Sequence, residues 1–373
     1  MQFGLSESQQ ILKDTARKFF AGECPMAQTR KLMETDAAYD PALWQKMTEQ
    51  GFTGIIVPEE FGGMGLGKVE LALLMEEAGY ALLPGPLFST IMAGAVLHAC
   101  GSTEQKKKYL LPICNGDSRA TVAFVEAGAS WNRSDLKITG EKLTGTKLFV
   151  TDAGVADLIL VVARNGVFAV HAKASGINVQ PMKGMDLTRK IYSVECKNSP
   201  AERLSNGEGL ERALEIATAA LAAEMVGGMQ RVLETTVAYA KTRKQFGKPI
   251  GSFQAVQHMC ADMYLETESA RSAAYYAAWS LQENAPDASL AVSIAKMYVS
   301  DVSRTVGNRG IQVHGGMGFT WENDLHLYYR RAKASETMLG DATYHREQIA
   351  SMVINLPESE EKPGRELAAK VKA

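Results

Sequence analysis

Two stretches decide how this chain reads: Arg243-Lys244-Gln245-Phe246-Gly247-Lys248, with Gln254 close behind, and Gln312-Val313-His314-Gly315-Gly316-Met317-Gly318-Phe319, followed by Arg330-Arg331-Ala332-Lys333. Arg243 offers a permanent cation and Phe246 an aromatic face, while Gln254 carries both a donor and an acceptor. Gly315 and Gly316 remove side chains where a backbone must come close to another molecule. Together they suit a bound cofactor that combines negative charge with a flat ring. Taken singly, each motif reads better as a solvated arginine on a helix or as glycines at a plain turn; the two in this order favour the cofactor reading.

The surroundings of both stretches are helical. Leu210 to Arg243 carries only scattered breakers, and a helix of that length spans about 50 Å at 1.5 Å per residue. Further helical segments are predicted from about Phe253 to Gln282, Asp287 to Val313 and Thr343 to Ile354. Small residues such as Ala219-Ala220, Ala222-Ala223 and Gly227-Gly228 allow these helices to pack closely. Upstream, Ala120 to Val125, Lys147 to Thr151, Leu158 to Ala163 and Val167 to His171 are short β-rich runs divided by turn formers. Before them the chain is helical again. Ser6 and Gln9 form a capping-box pattern ahead of Ile11, Leu12, Ala16 and Phe19. A second helix is predicted from Val69 to Ala81, ended by Pro84-Gly85-Pro86, and a third from Gln105 to Leu111, stopped by Pro112. The fold class is therefore α+β. A helical domain is expected over residues 1–118, a small antiparallel β-domain over 119–207 and a four-helix bundle over 208–356, with a loose charged tail over 357–373.

At 373 residues the chain can bury a large core. A net charge of −2 gives no basic field for nucleic acid or an anionic membrane. No apolar run approaches bilayer length, and Met1-Gln2-Phe3 begins no signal peptide. Cys24, Cys100, Cys114, Cys196 and Cys260 are odd in number and scattered, with no metal-ligand spacing and no disulfide framework. A reducing, cytoplasmic setting is expected.

The two opening stretches, in this order, closely resemble the flavin-binding half of the acyl-CoA dehydrogenase family. The likeness extends over nearly the whole chain through Val57-Pro58-Glu59-Glu60-Phe61-Gly62-Gly63-Met64-Gly65 and Ala123-Phe124-Val125-Glu126-Ala127-Gly128-Ala129-Ser130. The resemblance implies a noncovalent flavin adenine dinucleotide (FAD). Arg243, Phe246 and Gln254, together with Gln312, Gly315 and Gly316, would reach the flavin of a neighbouring subunit. Val125 takes the place of the usual threonine at the flavin edge. Phe149 and Thr151, in Lys147-Leu148-Phe149-Val150-Thr151, would lie along the flavin, with Phe149 where tryptophan is common. Phe149 reads equally well as an ordinary core aromatic.

In the family, a glutamate after the second motif removes the substrate α-proton, and its backbone N–H helps to polarise the thioester carbonyl. Counting from Ala332-Lys333, that place holds Leu339, just before Gly340. Leu339 keeps the N–H but cannot accept a proton. Relatives that carry the base on the long helix would have it at Ala217, so both positions are empty. Three carboxylates are candidates for a displaced base: Asp341 first for its adjacency to Leu339, then Glu224, then Glu336. Each reads alternatively as a solvated or salt-bridged carboxylate. Glu224 interrupts the apolar run Ala219 to Met225, where burial demands a partner. Thr218 stands where relatives often carry a substrate-side arginine, and Asp341 and Thr343 where they hold the flavin with threonine and glutamine.

The resemblance implies α,β-dehydrogenation of an acyl-CoA in fatty acid or steroid side-chain catabolism, with an electron-transfer flavoprotein as electron acceptor. The chain would act through a displaced base in a homodimer or homotetramer, or in a heterotetramer with a base-containing homologue. The alternatives are another acyl-CoA chemistry such as desulfination, or a flavin-holding subunit without turnover.

Overall fold

Ser6 starts the first helix as the capping-box spacing predicts. Its hydroxyl accepts from the Gln9 N–H at 3.2 Å, and the Gln9 side-chain oxygen accepts from the Ser6 N–H at 2.9 Å. The computed structural model describes residues 4–128, 130–140 and 142–354, so the expected charged tail lies outside the described residues. The helical N-terminal part comprises α1 (Glu7–Glu23), α2 (Met26–Met33), α3 (Pro41–Glu49), α4 (Lys68–Tyr80), α5 (Leu87–Cys100) and α6 (Thr103–Cys114). Two features depart from expectation. Helix α5 is buried on almost every side, so it has no polar face to create a readable period. Helix α6 does not stop before Pro112 but runs through it to Cys114. Pro112 cannot donate to the Lys108 carbonyl, but Lys108 lies on the exposed face, where water can take up that carbonyl.

The middle part is two sheets. One has the order β1 (Ala120–Ala123), β3 (Leu158–Ala163), β4 (Gly166–His171), β7 (Glu202–Ser205). The other has the order β2 (Lys142–Thr151), β6 (Ile191–Pro200), β5 (Ile177–Met182). Pairing is antiparallel except between β1 and β3, which run parallel because β2, between them in sequence, belongs to the second sheet. Val150, Ile159, Phe168 and Val194 belong to the core packed between these strands. The β2–β6 register shifts between Lys147 and Val150, and Phe149 within that irregularity takes φ 55°. Lys147 is itself buried and pairs with Glu126 at 2.7 Å, tying β2 to the segment after β1.

The third part is built on α7 (Leu210–Thr242), α8 (Gln254–Gln282) and α9 (Ala288–His314), completed by α10 (Leu325–Thr337) and α11 (Ala342–Val353). Helix α10 was not foreseen as an element, although Arg330 to Lys333 lie on it. Helix α7 joins the bundle to the N-terminal helices through glycine contacts with α4. A Cβ at Gly79 would meet the Glu224 carbonyl oxygen at 1.8 Å, and one at Gly227 would meet the Glu76 carbonyl oxygen at 1.8 Å. Between α7 and α8, β8 (Lys244–Gln245) and β9 (Lys248–Pro249) form a hairpin. Its two turn residues, Phe246 (φ 53°) and Gly247 (φ 79°), are both left-handed, as a tight two-residue hairpin turn requires.

All three parts meet at a buried knot of charge. Glu224 on α7 accepts from Arg189 at 2.7 Å and from Arg331 on α10 at 2.6 Å. Arg331 also donates to Asp186, to Thr188 Oγ1 and to the Leu83 carbonyl. Asp152, beside them, accepts from Ser89 Oγ at 2.8 Å, and burial pushes its carboxyl up to about 6.

Candidate functional site

Leu339 and Gly340 both adopt left-handed backbone, φ 59° and 95°, in the short connection that turns α10 into α11. A Cβ at Gly340 would collide with the Tyr344 ring, so glycine is required there. This connection forms one wall of a cavity of about 370 Å³ between the β-domain and the bundle. Phe124 and Trp131 line the opposite side, Leu214 and Thr218 come from α7, and His345 from α11. Trp131 packs on Phe124 with ring centroids 5.2 Å apart, and its indole N–H reaches the Thr337 carbonyl at 3.3 Å. The β-domain is thereby tied to the end of α10 across the cavity.

The Leu339 side chain is 4% exposed, and no carboxylate expected as a displaced base projects beside it. Asp341 is the N-cap of α11, accepting from the Tyr344 N–H at 2.8 Å. Glu336 pairs with Arg304 and Lys333. Glu224, 3% exposed, is fully engaged by Arg189 and Arg331. Ala217 is buried, and the Thr218 hydroxyl donates to the Leu214 carbonyl within α7. Glu215 and Glu211 do line the cavity. Glu215 pairs with Arg212 at 3.0 Å. Glu211 is exposed in the first turn of α7, about 10.5 Å along the helix from Thr218, which places it at the rim.

Behind the Leu339–Gly340 connection, Lys296 of α9 is wholly buried. Its Nζ lies 2.9 Å from the Gly340 carbonyl, 3.1 Å from that of Ser335, 2.9 Å from that of Glu336 and 3.1 Å from Ser300 Oγ. Burial pulls its ammonium down to about 7. His345 Nε2 lies 3.0 Å from the Leu339 carbonyl and donates to it. Burial, with the nearby Lys296 charge, holds His345 neutral down to about 4. Sequence reasoning missed Trp131, Lys296 and His345. The one available signal was a lysine set in the small and apolar run Ala291 to Met297.

The second cavity, of about 490 Å³, is lined by Tyr239, Arg243, Ile250, His314, Gly315 and Gly316. The structure thus brings Arg243 together with the glycine pair. Arg243 is exposed and, among the described residues, makes no ion pair. A Cβ at Gly315 or Gly316 would meet nothing within 4 Å, leaving an open cradle of backbone beside a free guanidinium. His314 below it stacks on Tyr239 with centroids 4.1 Å apart and bonds the Gly310 carbonyl through Nδ1. Phe246 projects from the β8–β9 turn, 91% exposed. Gln254 opens α8 and Gln312 lies in the last turn of α9, both exposed. A guanidinium beside open backbone has the chemistry to hold the pyrophosphate of a flavin dinucleotide, whereas Phe246, Gln254 and Gln312 do not line this cavity. The β-domain residues expected along the flavin, Val125, Phe149 and Thr151, line neither this cavity nor the one at Leu339. Phe149 stands 56% exposed on the register irregularity of β2, Val125 receives the Leu148 N–H at its carbonyl, and Thr151 is buried with its carbonyl bonded by Thr121.

The chain is similar to known proteins over most of its length. The profile described as acyl-CoA dehydrogenase, N-terminal domain, matches residues 6–117, and that described as acyl-CoA dehydrogenase, C-terminal domain, matches residues 208–354. The acyl-CoA dehydrogenase IpdE2 of Mycolicibacterium smegmatis is 32% identical over 337 residues, covering 90% of this chain and 96% of that protein. Among solved structures, the ChsE4–ChsE5 complex from Mycobacterium tuberculosis superposes with a TM-score of 0.88 at 27% identity, covering 96% of this chain and 100% of the matched one. A structure of PigA with FAD and proline superposes with a TM-score of 0.85 at 26% identity, covering 94% of this chain and 98% of that one. Among the described residues no helix is long and apolar enough to cross a membrane.

Proposed function

The chain belongs to the acyl-CoA dehydrogenase family, and we propose that it is the base-lacking subunit of a heteromeric acyl-CoA dehydrogenase. As a family member it is an FAD-dependent oxidoreductase acting on CH–CH bonds. The observation that carries the proposal is Leu339. It occupies the wall of the acyl-sized cavity where a proton acceptor belongs, while Asp341, Glu224 and Glu336 are each committed to a cap or an ion pair. The similar ChsE4–ChsE5 structure is a complex of ChsE4 with ChsE5.

In this reading Arg243 and the Gly315–Gly316 backbone hold the pyrophosphate of a flavin shared with a neighbouring subunit, flanked by Phe246, Gln254 and Gln312. Val125, Phe149 and Thr151 flank the ring of the chain's own flavin. When bound, the flavin supplies the hydride acceptor. The cavity around Leu339 takes the acyl thioester, Phe124 and Trp131 exclude water from it, and the Leu339 N–H is placed to meet the thioester carbonyl. Polarising that carbonyl is necessary in the active half of such a complex, since an α-proton is far too weakly acidic without it. In this chain, which has no acceptor for the proton, the same grip only binds. An electron-transfer flavoprotein is the proposed acceptor for the complex.

The test is expression alone and then together with a base-containing homologue, followed by measurement of mass, flavin per chain and acyl-CoA-dependent dye reduction. The proposal expects no reduction by the chain alone, and a mixed assembly with activity after coexpression. Acyl-CoA-dependent reduction by the chain alone would defeat it. In that case Glu211→Gln is the first variant to make, because Glu211 is the cavity-lining carboxylate that is not ion-paired among the described residues.

A further inference from the structure

We infer that Lys296 and His345 are positioning residues. They clamp the carbonyls of Gly340 and Leu339 from behind and so turn the Leu339 amide into the cavity as a donor to a thioester carbonyl. The inference rests on the reading that this cavity binds an acyl-CoA.

Two consecutive left-handed residues, one of them leucine, are costly to hold by local geometry alone. The structure holds them with two buried side chains, each reaching a different carbonyl. Lys296 Nζ meets four oxygens, three of them carbonyls in the last turn of α10 and at its exit, including Gly340 at 2.9 Å. Carbonyls gathered at a helix C-terminus favour a cation there. His345 Nε2–H takes the Leu339 carbonyl at 3.0 Å and is held neutral by burial, so it remains a one-sided donor. With both carbonyls fixed on the protein side, the amides of Leu339 and Gly340 find no acceptor among the described residues. The open side of the connection is the cavity that Leu339 lines. A buried N–H without a partner costs free energy comparable to a lost hydrogen bond, so the arrangement is complete only with an acceptor supplied from the cavity.

The experiment measures binding to the coexpressed complex by calorimetry, using a saturated acyl-CoA thioester and the matching S-alkyl-CoA thioether, which lacks the carbonyl. The complex carries a neutralised base in its partner, so that nothing turns over. The parent is expected to bind the thioester on the order of 10-fold tighter, the worth of one hydrogen bond to a preorganised donor. Lys296→Met should abolish that preference at this chain's sites, leaving the partner's sites and the thioether affinity unchanged, which a merely destabilised bundle would not do. His345→Leu should do the same, and His345→Gln, which restores an N–H donor, should recover the preference. The His345 pair keeps the inference testable should the Lys296 variant fail to fold. Equal affinities in the parent, or variants that weaken both ligands alike, would overturn the inference while leaving acyl-CoA binding intact. If the complex binds ligand only at the partner's sites, one per pair of chains, the reading of this chain's cavity itself falls, and the inference with it.

Discussion

Glu224→Leu separates a structural carboxylate from a catalytic one. The Glu224 carboxylate lies between Arg189 and Arg331, and Arg331 keeps Asp186 and Thr188 when it is removed. Arg189 keeps no carboxylate, and its Nε and Nη1 already lack partners in the buried interior. Removing one member of a buried pair costs about 3–5 kcal/mol, because the charge left behind is uncompensated. For a chain of 373 residues, with an unfolding entropy of about 2.1 cal/mol/K per residue, that loss lowers the thermal midpoint by about 5 °C. Glu224→Gln keeps one acceptor and should fall between the parent and the leucine variant. The assay pairs calorimetric unfolding with flavin reduction by acyl-CoA in the coexpressed complex. A displaced base would behave in the opposite way, since neutralising it costs about 10²- to 10⁴-fold in reduction. A midpoint that stays within about 1 °C of the parent while reduction collapses would refute the assignment of Glu224 to the buried knot.

Three further predictions follow from the same geometry. Arg243→Ala should lower flavin per chain while far-ultraviolet circular dichroism stays that of the parent; unchanged flavin stoichiometry would remove Arg243 from the cofactor site. Asp341→Ala should cost about 1 kcal/mol of stability through the lost α11 cap and leave turnover of the complex intact, whereas a 100-fold loss of turnover would restore Asp341 as a base. Asp152, raised from 3.8 to about 6 by burial, binds a proton in the folded protein that the unfolded chain has already released between those values. Its contribution therefore falls as pH rises from about 4 to about 6, by roughly 3 kcal/mol for a shift of this size. Asp152→Asn should accordingly gain stability relative to the parent at pH 7.5 compared with pH 4, and a pH-independent difference in urea unfolding would contradict this.

The parts of the fold legible in the sequence were those written in local chemistry. Ser6–Gln9 capped α1 as spaced, Pro84-Gly85-Pro86 separated α4 from α5, and α7 ran without a break to Thr242. The motif around Arg243 and the glycines at 315 and 316 could be read together, and the structure places them in one cavity although their positions are 72 residues apart. What stayed hidden depends on tertiary partners. Helix α5 is apolar all round because it is enclosed, and the parallel β1–β3 pair needs a strand that leaves for another sheet. Glu224 was recognisable as a charge in need of a partner, but Arg189 and Arg331 lie 35 and 107 positions away and nothing local points to them. Trp131, Lys296 and His345 acquire meaning only once α9, α10, α11 and the β-domain converge on the Leu339 connection.

The central claim is that this chain contributes no proton acceptor to the reaction. Its most direct test is the coexpressed complex in which the partner's base alone is changed from glutamate to glutamine, with this chain left intact. Acyl-CoA-dependent reduction should then vanish to background, even though both cofactor sites remain filled and both chains remain folded. Persistent turnover, at half the parent rate or any sizeable fraction of it, would mean that a group on this chain takes the proton after all.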